Sequence, residues 1–315
     1  MTKFDVIALG ELLIDFTENG LSANGNPLLE ANPGGAPCNV LAMLQNLDKK
    51  TAFIGKVGKD AFGEYLSETV KQVGIDVTNL VYDDEIPTTL AFVHTASDGD
   101  RSFSFYRNPG ADMMLKESDI NYELINEAKI FHFGTLSMTH DEVRSATKKA
   151  VEYAKDKGLL ISFDPNYRPL LWKDPELAKE MMRYGFSKCD ILKISDDEIT
   201  FVTGKETVEE AIPEFLKQFK PKLMCVTMGK EGSIAIYGDS QVRAKAVLRE
   251  DTIETTGAGD TFMACTLNYV LEHGLENLSE SELLEMQQFA GAAASIITTR
   301  KGALKVMPTR EEIGR

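Results

Sequence analysis

The stretch "TTGAGDTFMA", residues 255–264, decides how this 315-residue chain is read. Gly257, Ala258 and Gly259 let the backbone approach a ligand without Cβ obstruction. The apolar run "MACTLNYVLEHG" (263–274) predicts a helix beginning near Asp260. Its unsatisfied first-turn N–H groups and positive dipole end point at the glycine turn, which makes a cradle for an oxyanion or a phosphoryl group. The same residues also fit an ordinary helix start with Asp260 as its first-turn carboxylate. Common phosphate loops are excluded. Phe262 stands where G-x-G-x-x-G requires its third glycine, and the chain has no G-x-x-x-x-G-K-[ST], H-R-D or D-F-G.

Outward from this turn, short apolar runs recur at 4–10, 51–58, 129–134, 159–166, 190–195 and 223–229. Segments with helical periodicity lie between them, at 61–74, 140–158, 175–187 and 206–219. Nearly continuous apolar strands alternating with amphipathic helices predict βαβ units and a parallel sheet covered on both faces. Several runs end in Gly10-Glu11, Asp164-Pro165-Asn166, Ser195-Asp196-Asp197 or Gly229-Lys230. Ligands of open α/β sheets gather at the carboxyl ends of strands, so these termini nominate the active edge.

Two stretches break the rhythm. Residues 11–33 are short, mixed and turn-rich, and 87–107 reads as a hairpin turning at "SDGD" (97–100). The expected organisation is one domain, 1–315. A lid is formed by about 11–33 and 87–108, and a core by 1–10, 34–86 and 109–315.

Hydrophobic content of 43% and charged content of 26% are those of a globular protein. No apolar run reaches the roughly 18 residues of a membrane span. The N-terminus lacks a cleavable signal pattern, so cytoplasm is the expected compartment. A formal net charge of −15 argues against nucleic acid or an anionic membrane as partner, but leaves room for a phosphorylated ligand in a locally positive pocket. The four cysteines and four histidines show no metal or disulfide spacing, and buried reduced thiols are expected.

A second glycine cluster, "PGGAPCN" (33–39), makes another tight turn into a helix, and its Asn39 offers a donor and an acceptor to a hydroxylated ligand. Asp15, just after the first apolar run, could accept from two sugar hydroxyls. Taken alone, the cluster is a strand–helix turn about as often as a site, and Asp15 in isolation reads as a solvated loop acid.

Taken in order, "PGGAPCNVLAML" (33–44), "GKVGKDAFGEYL" (55–66), "VTMGKEG" (226–232), "TTGAGDTFMA" and "RKGALKVMPT" (300–309) resemble the PfkB, ribokinase-like, family of carbohydrate kinases over essentially the whole chain. "SFYRNPGADMML" (104–115), "FHFGTLSM" (131–138), "FDPNYRPLLW" (163–172) and "ILKISDDE" (191–198) look most like the family's fructokinase branch.

The resemblance implies a three-layer α/β/α sandwich with a mostly parallel sheet and a small β-sheet lid. It implies ATP and Mg²⁺, a sugar and ATP as small-molecule partners, and a homodimer through the lid. Asp260 matches the general base, and Gly257–Ala258–Gly259 the anion hole. Asp15, Gly34, Gly35 and Asn39 match the sugar set, with Arg107 and Arg168 placed to meet substrate or phosphate. Lys193, Ser195, Thr227, Gly229 and Gly232 match nucleotide-binding positions, and Glu198 the carboxylate that organises Mg²⁺ through water.

Two positions depart from the family pattern. Ser195 replaces Asn in N-x-x-E. Glu254 replaces the Asp beside a monovalent-cation site, which the carbonyls of Arg300 and Gly302 would complete, so K⁺ is a further candidate ion. The reaction implied is phosphorylation of D-fructose to fructose 6-phosphate. A 2-keto-3-deoxygluconate kinase shares the DPN-x-R pattern followed by Leu-Trp. A non-catalytic sugar- or nucleotide-binding regulator on the same fold would be marked by loss of Asp260, which is present.

Overall fold

Residues Thr51–Gly58 are all buried, the pattern of a strand covered on both faces, and the chain's main sheet is built around them. A computed structural model describes residues 2–95 and 101–314. Among these residues the main sheet has nine strands. In chain order they are β1 (Phe4–Leu9), β4 (Thr51–Gly58), β5 (Asp76–Asp83), β8 (Ala128–Phe133), β9 (Leu160–Phe163), β10 (Ile191–Ser195), β11 (Leu223–Thr227), β12 (Ser233–Tyr237) and β13 (Ser240–Ala244). Their spatial order is β13-β12-β11-β10-β9-β8-β1-β4-β5. Every neighbouring pair is parallel except β11/β12 and β12/β13. The six runs expected as strands all form.

One face of the sheet packs against α4 (Asp141–Asp156), α5 (Pro175–Lys188), α6 (Asp196–Thr203) and α7 (Val208–Leu216). The other packs against α1 (Ala36–Asn46), α2 (Ala61–Gln72), α8 (Ala258–His273) and α9 (Glu280–Ile297). This is the expected α/β/α sandwich. The four expected helices appear within a few residues of their predicted limits. Short α3 (Tyr122–Asn126) and α10 (Arg310–Ile313) complete the set described. Helix α8 is buried at every position from Asp260 to Val270, as befits a helix apolar nearly all round. All four cysteines are buried and unpaired. Among the described residues no helix is long and apolar enough to cross a membrane.

A second sheet of four strands has the order β3-β2-β6-β7, from β2 (Leu13–Leu21), β3 (Pro27–Gly34), β6 (Leu90–Thr95) and β7 (Arg101–Tyr106). The turn-rich reading of 11–33 thus understates two long strands. Their polar residues mark a sheet with much of its surface exposed, where alternation is blurred. β6 and β7 pair antiparallel, and their connecting turn "SDGD" lies outside the described residues.

The junctions of the β6/β7 pair with the core meet at one buried ion pair. Arg107, just after β7, donates through Nε and Nη2 to Asp112 Oδ2 at 2.9 and 2.7 Å. Asp112 also accepts the hydroxyl of Thr89, just before β6. Arg107 further donates to Thr139 Oγ1 at 2.9 Å and to the Leu136 carbonyl at 3.0 Å. Both charged side chains are 2% exposed. Breaking a buried pair strands the remaining charge, so Arg107→Met is expected to lower unfolding free energy by about 3–5 kcal/mol in urea titrations. Arg107→Met/Asp112→Leu should recover most of that loss. A single variant as stable as the parent would show that the pair does not hold this junction.

Candidate functional site

Because β1, β8, β9, β10 and β11 run parallel, their carboxyl ends share one edge of the sheet. A cleft of about 630 Å³ opens there between the main sheet and the small one. It is lined from the small sheet by Asp15 and Asn32, and from the main sheet's edge by Glu11, Asn166, Ser195 and Thr227. The starts of α1 and α8 close its floor.

Helix α8 enters this cleft through Gly257, whose φ of 78° is left-handed and favours glycine. No side chain caps the helix. The Ala258 N–H turns back to the Thr255 carbonyl at 3.2 Å, and Gly259 and Asp260, the next residues of the first turn, line the cleft. Asp260 is buried, and its Oδ2 accepts from Asn39 Nδ2 at 2.8 Å. Burial and the Asp164 carboxylate push its pKa up to about 6, opposed by Asn39, Lys193 and Arg168. Asp260 is therefore a first-turn carboxylate whose hydrogen bond goes to Asn39 rather than to the helix's own N–H groups. Asn39 Oδ1, buried without a partner, is an acceptor presented to the cleft.

The glycine turn before α1 serves a second purpose. Gly35, at φ 131°, also lacks a capping side chain, and the Glu11 carboxylate takes that role by accepting the Ala36 N–H at 2.9 Å. Gly34 leaves room for the Asp15 carboxylate, which a Cβ there would strike. Burial holds Asp15 up at about 7, with Arg168 opposing and Glu254 and Asp260 reinforcing. Burial likewise lifts Glu11 to about 7. Arg168, exposed at the rim, donates to its neighbour's carbonyl at 3.2 Å.

Toward the other end lie Lys193, Ser195, Glu198 and Thr227. Glu198 accepts the Tyr167 N–H at 2.7 Å through one oxygen and the Ser195 N–H at 2.8 Å through the other. Each oxygen keeps a lone pair for a water, so the carboxylate fits a metal held through its hydration shell. Among the described residues no cluster of three or more His, Cys, Asp or Glu could hold a metal alone. A Mg²⁺ here would therefore need phosphate ligands as well. Glu254 is buried and accepts the Gly302 N–H at 2.8 Å, which ties the loop before α8 to the loop after α9.

Most residues singled out in the sequence converge on the cleft: Asp15, Gly34, Gly35, Asn39, Arg168, Lys193, Ser195, Glu198, Thr227, Glu254, Gly257, Gly259, Asp260 and Gly302. Five do not line it. The Arg107 guanidinium is committed to Asp112. Ala258 stands in the turn with its side chain off the cleft. Gly229 and Gly232, at φ 51° and 98°, shape the turn behind Thr227. The Arg300 side chain is held by Glu312 and by the Val306 carbonyl. Glu11, Asp164 and Asn166 were not singled out individually. Their signal was the polar endings of the first and fourth apolar runs.

The sequence model for pfkB family carbohydrate kinases matches residues 3–310. A probable fructokinase-2 of Arabidopsis thaliana is 40% identical over 306 residues, covering 96% of this chain and 93% of the relative. The fructokinase of Vibrio cholerae O395, solved with fructose, ADP and a calcium ion, superposes with a TM-score of 0.87 at 28% identity, covering 99% and 98% of the two chains. A double mutant of that enzyme holds fructose, ADP and a potassium ion, with a TM-score of 0.88 at 27% identity, covering 100% and 98%. A putative ribokinase II of E. coli, complexed with ATP and Mg²⁺, gives 0.86 at 25% identity, covering 99% and 98%.

Three raised carboxylates carry a stability consequence. A carboxyl whose folded pKa exceeds its unfolded value of about 4 favours the fold at low pH and opposes it once pH rises past the folded pKa. For Asp260 that window runs from about 4 to about 6. For Asp15 it extends to about 7. Asp260→Asn and Asp15→Asn are therefore expected to melt above the parent at pH 8, with the gap narrowing toward pH 4. Calorimetric scans across pH check this, and a gap that is constant or widens on acidification contradicts it.

Proposed function

The chain belongs to the pfkB family of carbohydrate kinases, and on that premise we propose that it transfers the γ-phosphoryl group of ATP to the primary hydroxyl of D-fructose, giving fructose 6-phosphate and ADP. The observation that carries the reading is the buried Asp260 carboxylate, held by Asn39 at the head of an uncapped helix and beside a glycine turn. A proton acceptor and an anion cradle then share one point, the arrangement that in-line phosphoryl transfer needs.

In this reading fructose lies between the two sheets, its hydroxyls accepted by Asp15 and by Asn39 Oδ1. Asp260 takes the proton of the reacting hydroxyl. The N–H groups of Gly259 and Asp260 meet the charge that develops on the phosphoryl oxygens. ATP lies along Ser195, Thr227 and the Thr255–Gly257 turn. Arg107 acts at a distance, by fixing the junction of the small sheet, rather than by touching substrate. Mg²⁺ bound with the nucleotide, through water on Glu198, would offset phosphate charge. A monovalent ion near Glu254 would steady the anion cradle, and the relative with bound potassium supports testing for it. The small sheet would serve as a lid over the sugar.

Purified protein with ATP and Mg²⁺ is expected to release ADP far faster with D-fructose than with ribose, adenosine or 2-keto-3-deoxygluconate, with and without K⁺. The exposed Arg168 guanidinium would also suit an acid sugar's carboxylate, so 2-keto-3-deoxygluconate is the competitor that matters. Faster turnover with it would replace the fructose assignment, and no turnover with any sugar would favour a binding protein. Asp260→Asn should lower kcat at least about 10²-fold while fructose affinity survives. The acid limb of kcat/KM should fall near pH 6, where Asp260 protonates.

The small sheet exposes Leu21 and Tyr106, each 68% accessible, and Leu28 and Leu29 on its edge strand β3. A small sheet is marginal alone, and we propose that a second copy of the chain covers this surface. Sedimentation at micromolar concentration should give a dimer, and Leu21→Glu/Tyr106→Glu a monomer. A monomeric parent would dispose of the idea.

A further inference from the structure

One contact crosses the cleft where the chain itself does not. Glu11 and the Arg107–Asp112 pair hold the small sheet at points where the backbone passes into the core. The Lys193–Asp164 pair, with Nζ and Oδ2 3.1 Å apart, lies wholly within the core, between β10 and β9. Asn32, on the edge strand β3, instead reaches a loop far along the sequence. A Cβ placed on Gly302 would lie 3.1 Å from Asn32 Oδ1 and 3.6 Å from its Cγ, so the amide rests directly on that glycine. Gly302, at φ 77°, is left-handed, and its lack of a side chain makes the close approach possible.

The Asn32 amide is held in one orientation. Its Nδ2 donates to Thr17 Oγ1 at 2.9 Å and to the Glu30 carbonyl at 3.3 Å, which uses both donors and leaves Oδ1 for Gly302. Asn32 stands directly opposite Asp15 in the β2/β3 register, so the two side chains share one face of the small sheet, and Thr17 lies two residues along that face. The core side is built as closely. The Gly302 N–H donates to Glu254 Oε1 at 2.8 Å. Ala303, the next residue, packs on the glycine turn before α8, because a Cβ on Gly257 would lie 2.8 Å from the Ala303 Cβ. The Gly302–Ala303 step is therefore wedged between the sheet that carries Asp15 and the turn that leads to Asp260.

We propose that Asn32 is a positioning residue that couples occupancy of the sugar end of the cleft to nucleotide binding at the phosphoryl end. The inference rests on the kinase reading above. A sugar held by Asp15 orders the small sheet, and through Asn32 it steadies the Gly302–Ala303 step against the Gly257 turn. A nucleotide whose phosphates use that turn then meets it already ordered, so each ligand tightens the other. Asn32 acts through Gly302 and contacts no reacting atom.

The test uses the full chain at fixed Mg²⁺ and K⁺, with whichever sugar the parent phosphorylates fastest, so it does not depend on fructose. Calorimetry measures affinity for the non-hydrolysable ATP analogue AMP-PNP with and without saturating sugar. The parent should bind it about fivefold or more tightly with sugar present. Asn32→Ala should bring this ratio to within about twofold of one, while affinity for the sugar alone stays within about threefold of the parent. In steady-state kinetics it should raise the KM for ATP at saturating sugar by a larger factor than it lowers kcat. Loss of a merely structural residue would weaken each ligand alone and leave the ratio as it was. Gly302→Ala presses a methyl on the Asn32 amide, so it should weaken AMP-PNP binding more in the parent than in the Asn32→Ala background. Asn32→Ala alone decides the matter if Gly302→Ala does not fold. An active parent whose ratio is one would overturn the proposal. So would an Asn32→Ala variant that keeps the parent's ratio, or equal losses from Gly302→Ala in the two backgrounds. A parent that phosphorylates no sugar would remove the kinase reading and this inference together.

Discussion

The hydrogen bond from Asn39 Nδ2 to Asp260 Oδ2, 2.8 Å long and buried, joins residues 221 positions apart. It fastens the head of α1 to the head of α8, and the site is arranged around it. Both helices begin in glycine turns whose own N-cap residue has no side chain, α1 being capped instead by Glu11, and both turn positive ends to the same small volume. A carboxylate buried there is held by an amide donor and two helix starts. The same burial leaves it basic enough to accept a proton near neutral pH. Neither helix could be capped in the ordinary way by its own N-cap residue without closing the approach that the glycines leave open.

This geometry sets the electrostatic problem for the rest of the cleft. Asp15, Glu11, Asp164, Glu198 and Glu254 all lie near Asp260, in a chain whose formal charge is already −15. Carboxylates suit sugar hydroxyls but repel phosphate. Two cations face them, Lys193 buried beside the glycine turn and Arg168 exposed at the rim. Each lowers the pKa of Asp260 against the combined push of burial and Asp164. The raised pKa values of Asp15 and Glu11 come first from burial, with neighbouring carboxylates adding to it, so both acids cost stability when ionised.

Much of this was legible before any coordinates. Buried parallel strands announce themselves as continuous apolar runs, and the two glycine turns stood out because each precedes a helical segment. Asp260, Asn39, Gly257 and Gly259 met in space as their motifs implied. Strands β2 and β3 escaped because "ENGLSANGNP" carries turn residues on a surface sheet, where exposure removes the clean alternation. Arg107 reads from sequence as a free cation in a lid segment. Its burial opposite Asp112, five residues later, depends on a backbone path that periodicity does not report. Asp164 lay in plain view at the end of an apolar run. Its pairing with Lys193 follows only from β9 lying beside β10, a matter of strand order rather than of local sequence.

The position of Asp15 links the two sheets in one further way. It sits on β2, opposite Asn32 and beside Ala91 of β6, and so is placed by the small sheet. Asp260 belongs to the core. The distance between the two carboxylates is thus set by how the two sheets are joined. Glu11 holds one side of that relation, because it precedes β2 directly and accepts the Ala36 N–H at the start of α1. The Arg107–Asp112 pair holds the other, because it anchors both strands of the β6/β7 pair to the core. A substrate that spans Asp15 and Asp260 must satisfy both at once. The spacing of Asp15 and Asp260 is therefore set through two buried carboxylates, Glu11 in the cleft wall and Asp112 outside it, so the residues that fix the spacing need not all line the pocket.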